Sequence, residues 1–261
     1  MKCSNYVLFV MLSLSLLSCK KAIKTNPIAA PVIPTDLTSL YIPIKFETDG
    51  LSLSLSYKEN TAQLTELTDQ NGDKVKISYT TSQLPSKLEH YRNGQLFYVA
   101  YFEQQDKKNT NKAVLFDCTA QPLIYTPRGN YLLTYDEQNI SILKYYNNSG
   151  NLVYANTWLY ASGNLSQMSS TNPPGTPSLT TFTFDQKKGI SSHIPYTQLF
   201  VIELDYWFLR CANNNIVSQQ STSNQVNYSY EYNDQGYPLK VKISDQKRSQ
   251  TIKVTYQQLK P

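Results

Sequence analysis

The sequence predicts a mainly β protein: an antiparallel β-meander of successive hairpins in one twisted sheet, with one short helix covering part of it. Three observations carry the prediction. Apolar and polar residues alternate strictly in runs such as Leu51-Ser-Leu53-Ser-Leu55-Ser-Tyr57 and Lys74-Val75-Lys76-Ile77-Ser78-Tyr79. Successive strand side chains point to opposite faces, so each run has one dry and one wet face. A unit of aromatic residue, short polar stretch, glycine and alternating strand recurs at 70–79, 91–101, 145–154, 160–168 and 230–244. Tyrosine, a strand former, occurs 21 times in 261 residues.

Read in order, residues 1–18 form a leader. Lys2 is a basic start, and Tyr6 to Leu17 is an apolar run too short to span a bilayer. Leu16-Leu17-Ser18-Cys19 resembles the lipobox of bacterial lipoproteins. The resemblance implies that Cys19 is lipidated and becomes the mature N-terminus, so the chain meets a membrane through that anchor. Lys20 and Lys21 follow where an inner-membrane retention aspartate would stand, which resembles outer-membrane sorting. The lack of an acidic export tag favours a periplasm-facing position over the cell surface. Residues 19–41 read as a tether, because Pro27, Pro31 and Pro34 favour an extended chain.

Residues 42–261 form the meander domain. Asn71-Gly72 and Asn93-Gly94 predict type I′ turns, whose central residues both need positive φ. Gly150, Gly163 and Gly236 suit the left-handed position of longer hairpin loops. YTQLFVIELDYWFLR, residues 196–210, breaks the alternation. Periodicity leaves it as buried helix or strand; a helix from Tyr196 to Cys211 would bury Leu199, Phe200, Val201, Leu204, Trp207 and Phe208 against one face of the sheet. Cys118 and Cys211 either form a disulfide, which an oxidising compartment permits, or remain two buried thiols.

The segment Tyr-x-Tyr-Asn-Asp-x-Gly-x-Pro-Leu at 230–239 resembles the YD repeat of wall-associated and Rhs-type proteins. With the lipobox, the Phe-Asp-x-Lys-Lys segment at 184–188 and the Asn-rich link at 213–215, the whole resembles a family of uncharacterised Bacteroidetes lipoproteins. That resemblance implies a twisted meander with no assigned activity.

Charge and motif content exclude several functions. Net charge is +5, or +4 without Lys2, and the lysines are scattered, so a nucleic-acid patch is not expected. The two histidines, His90 and His193, sit in no metal-binding pattern, and no cofactor fingerprint occurs. The expected function is a non-catalytic binding or scaffold module of the envelope, with a glycan or protein ligand. Alternation nominates Tyr228, Tyr230, Tyr232, Tyr145 and Tyr154 for its binding face. The rival reading is an envelope glycan hydrolase that uses Glu203, Asp205 and a further acid brought together by the fold.

Overall fold

The structure, a computed structural model, describes residues 40–104, 109–120, 122–172 and 175–259. The leader, Cys19 and nearly all of the tether lie outside the described residues. Sixteen strands follow one another: β1 (Tyr41–Thr48), β2 (Leu51–Tyr57), β3 (Leu64–Asp69), β4 (Lys74–Tyr79), β5 (Pro85–Arg92), β6 (Gln95–Gln104), β7 (Thr110–Ala120) and β8 (Leu123–Asp136). Then come β9 (Asn139–Asn147), β10 (Leu152–Ala161), β11 (Asn164–Thr171), β12 (Ser178–Phe184), β13 (Ile216–Ser221), β14 (Gln225–Tyr232), β15 (Pro238–Ser244) and β16 (Ser249–Gln258). Each pairs antiparallel with its sequence neighbours.

The meander is as expected, but the open twisted sheet is not. β1 pairs with β16, Tyr41 opposite Gln258 and Glu47 opposite Lys253, and the sheet closes into a barrel. Closure removes the two long bare edges that an open sheet would leave to aggregation.

Alternation maps onto the wall. Leu55, Leu67, Val75, His90 and Tyr98 form one cross-strand row on the inside. One residue along, Ser56, Glu66, Lys76 and Glu89 form a row on the outside. On the adjoining stretch of wall Glu231, Lys240, Lys253 and Glu47 form another outer row. Along these strands the barrel is therefore apolar within and polar without, whereas β6, β8, β10 and β12 also present Tyr101, Leu132, Leu159 and Leu179 outward.

The turns follow two designs. Asn93 and Gly94 both have positive φ, 50° and 76°, as a type I′ turn requires. At Asn71-Gly72 only Gly72 does, so the expected type I′ turn is not formed there. Asp69 accepts hydrogen bonds at Oδ1 from the backbone N–H of Asn71 and Asp73. Asn147 caps Ser149 and Asn151 in the same way, and Asn233 caps Gln235 and Tyr237. The shared pattern is Asx-x-x-Gly, a side-chain capped loop with glycine in the left-handed position. Gly163 pairs with Ser162 in a two-residue turn rather than a longer loop.

A ring of sixteen strands is wide enough for a water channel unless something fills it. Residues 185–215, between β12 and β13, fill it. They contain helix α1 (Thr197–Glu203) and a 3₁₀ turn at Trp207–Arg210. Gln198 on α1 hydrogen-bonds Ile140 and Asn139 of β9. Phe208 stacks on Phe46 of β1 at 4.3 Å between ring centres. β1 and β9 stand opposite each other in the ring, so the segment crosses the interior. Ile190, Ile194, Leu199, Phe200, Leu204, Phe208, Leu209 and Cys211 join the inward strand residues in one buried cluster.

The run 196–211 is thus neither one helix nor a cover on a sheet face. α1 stops at Leu204, whose backbone is extended. Leu199, Phe200, Leu204 and Phe208 are buried as expected, while Val201 and Trp207 are half-buried.

Candidate functional site

Two polar networks organise the interior. The first clasps the plug where it leaves and rejoins the wall. Asp185 follows β12 and Asn215 precedes β13. Asp185 N–H donates to the Asn215 carbonyl at 3.0 Å, and Asn215 N–H returns to Asp185 Oδ1 at 3.1 Å. Asn215 is fully buried; its Nδ2 donates to the Lys188 carbonyl at 2.8 Å, and its Oδ1 accepts from Ile190 N–H at 2.9 Å. Tyr232 donates its hydroxyl to Asp185 Oδ2. Gly189 is tight for a different reason: a Cβ there would lie 2.2 Å from the Cys211 carbonyl oxygen. The Phe-Asp-x-Lys-Lys segment and the Asn-rich link are the two halves of this clasp.

The second network holds the far end of α1. Glu203 points inward, and Tyr98 of β6 donates to its Oε2 at 2.5 Å. Its Oε1 is buried without a hydrogen-bond partner. Tyr154 of β10 donates to the hydroxyl of Tyr131 of β8 at 3.0 Å. Tyr131, Tyr145 and Tyr154 pack as a trio, with ring centres 5.2 to 6.3 Å apart. Arg128 lies over the Tyr98 ring at 5.4 Å. Burial pushes the Glu203 carboxyl above the usual carboxylate range, while the Tyr98 and Tyr131 hydroxyls and the Arg128 guanidinium pull it partly back. Burial likewise pushes the Tyr98 and Tyr131 phenols up. This network carries few charges and is largely enclosed.

The sequence-nominated residues take these places. Tyr145 and Tyr154 come together with Tyr131 against the core, and Tyr228 packs on Trp207 at 5.7 Å. Tyr230 and Tyr232 pack against each other, their rings tilted, beside the clasp. All five face the interior, so they form no open outer sheet surface. Much of the tyrosine usage has a backbone cause. The hydroxyls of Tyr57, Tyr79, Tyr135, Tyr145 and Tyr230 donate to the carbonyls of Pro43, Leu64, Thr110, Arg128 and Ile216. Each carbonyl lies at a register shift in the ladder, where a bulge frees a backbone group. Inward alternation with a long polar-tipped ring was the legible signal; the bulges were not.

Glu203 and Asp205 do not converge. Glu203 is interior, whereas the Asp205 side chain is 93% exposed and paired with Arg210 at 2.7 Å. No group of three or more His, Cys, Asp or Glu able to hold a metal occurs among the described residues. Cys211 lies in the interior cluster and Cys118 near the end of β7; both are free thiols, so the possible bridge is not formed. Burial pushes the Cys211 thiol up to about 12. His90 is inside, lowered to about 4 by burial, and His193 meets the Tyr237 hydroxyl at 2.8 Å.

Fold and site together define a plugged up-and-down β-barrel. No family model matches the chain, and no curated protein matches it. Among solved structures it is similar to a porin-like protein from Bacteroides uniformis, at 14% identity and a TM-score of 0.54 over 85% of this chain and 97% of that one. A porin-like protein from Bacteroides vulgatus is similar at 11% identity and a TM-score of 0.53, over 83% of this chain and 99% of that one. At such identities the likeness concerns the fold.

Proposed function

We propose that this chain is a lipid-anchored module of the bacterial cell envelope that works in water as a non-catalytic binding or scaffold protein. The observation that carries the reading is the polarity of the wall. A membrane-spanning barrel presents an apolar band about 25 Å tall to lipid and a polar lumen. Here outer rows such as Ser56-Glu66-Lys76-Glu89 are polar, the exposed Leu132, Leu159 and Leu179 stand beside Lys112 and Lys144, Gln167 and Ser169, and the lumen holds an apolar plug. Such a wall suits water, and such a lumen conducts nothing. The likeness to porin-like proteins supports an envelope setting, and the lipobox supplies the attachment that the wall does not. The clasp and the bulge-capping tyrosines serve rigidity, as a scaffold requires.

The test uses the full chain in a Gram-negative host fed an alkyne palmitate analogue. The wild type should be labelled, membrane-bound and protected from protease until the outer membrane is opened. Cys19→Ser should be unlabelled and released. In planar bilayers the purified protein should give no ion conductance. Channels in the bilayer, or labelling of Cys19→Ser, would contradict the proposal.

A further inference from the structure

The barrel is closed, but one hairpin overhangs its rim. β7 and β8 run past the rim as a two-stranded finger. The last β6 to β7 pair is Tyr98 with Asp117, and the first β8 to β9 pair is Gly129 with Asn147. Beyond them Cys118, Thr119 and Ala120 pair only with Tyr125, Ile124 and Leu123. Tyr145 caps the Arg128 carbonyl at 3.2 Å. From Leu123 to Pro127, no strand of the described residues pairs with the β9-side edge. Leu123, Ile124 and Tyr125 are 51, 51 and 41% exposed. They are consecutive, so Leu123 and Tyr125 share one face and Ile124 lies on the other, beside Thr119 and Thr126. On the outer face Tyr101, Phe116 and Tyr125 form a row of edge-on rings 5.9 and 6.1 Å apart.

We infer that this edge is a docking strand that receives an extended segment of a partner protein by strand addition. The occupant must supply backbone donors and acceptors, because a bare edge cannot be moved into hydrocarbon without leaving them unpaired. That disfavours a lipid surface. A second copy is disfavoured by size: a stable dimer needs about 20–30 residues a side, and the edge offers a handful. An extended peptide gains affinity from main-chain hydrogen bonds and specificity from alternate side chains. Its alternate positions would be apolar, packed beside Tyr125, where the Tyr101–Phe116–Tyr125 row reaches this edge. It needs no charge there, since Arg128 and Asp117 pair with each other at the finger's base, at 3.6 Å. The inference rests on the binding-module reading and narrows it to a protein ligand.

The test pans a display library of random peptides of about ten residues, an ordinary strand length, on the full mature protein. The double variant Ile124→Lys, Tyr125→Lys is the counter-target, since charges on an edge strand oppose pairing. Enriched peptides should alternate apolar residues. They should slow amide exchange at 123–127, and bind the double variant at least about tenfold more weakly, ~1.4 kcal/mol. Equal binding to the variant, protection elsewhere, or no enrichment would overturn the inference. Protection elsewhere would still leave a binding module, and an empty library would leave a glycan ligand open. Self-association or vesicle flotation that the double variant abolishes would overturn it in favour of a second copy or a membrane.

Discussion

Two segments depart from the regular meander, and they depart in opposite directions. The plug, 185–215, folds inward and becomes core; the finger at the end of β7 and β8 projects outward and keeps Leu123, Ile124 and Tyr125 exposed. Both are rich in large apolar residues. What separates them is the polar chemistry at their bases. The plug is returned to its point of departure by Asp185, Asn215 and Tyr232. The finger has only a bulge at Arg128, capped by Tyr145, and an ion pair. Apolar content thus does not decide burial here; the clasp does.

The comparison can be broken from the plug side with the largest effects. Phe208→Ala removes a ring stacked on Phe46 across the interior and should cost about 3–5 kcal/mol, a drop in Tm of ~10 °C by calorimetry. Asn215→Ala orphans Ile190 N–H and the Lys188 carbonyl inside the clasp and should cost about 2–3 kcal/mol in urea unfolding. If it costs nothing, the clasp does not seat the plug.

Glu203 sharpens the account through pH. Its raised value means that the folded chain holds this proton more tightly than the unfolded chain, whose carboxyl titrates at about 4.3. Its contribution to stability is therefore full below that pH and falls as pH rises through the folded value. Glu203→Gln keeps the shape and removes the titration. The variant should melt above the wild type at pH 8, with the gap closing towards pH 4; an unchanged gap would remove the buried carboxyl from the account.

Smaller effects belong to the rims. Asn147→Ala removes the cap of one Asx-x-x-Gly turn and should cost about 1 kcal/mol. Leu123→Ser on the finger should change stability by no more than about 0.5 kcal/mol. A large loss there would mean that the finger is packed rather than free.

How far the sequence revealed this follows the same division. Local chemistry was legible: Leu51–Tyr57 and Lys74–Tyr79 announced strands, and glycines 72, 94, 150, 163 and 236 all fell in hairpin turns. Long-range pairing was not. Nothing near Tyr41 indicates that it meets Gln258, so closure was invisible. The run 196–210 was seen as apolar, but its destination depends on Asp185 and Asn215, thirty residues apart in sequence. The tyrosines were seen as a surface because alternation gives two faces without saying which is inside, and the barrel's curvature decided it.

The central claim is that residues 185–215 fill the barrel, and two native thiols report on it directly. Cys211 belongs to the plug's buried cluster, and Cys118 lies near the end of the finger. The measurement is maleimide labelling of the folded protein, with each thiol followed by mass spectrometry across a urea series. The account predicts that Cys118 reacts without denaturant, while Cys211 reacts only as the whole barrel unfolds. Labelling of Cys211 in native buffer at the rate of Cys118 would mean that the plug leaves the lumen, and would contradict it.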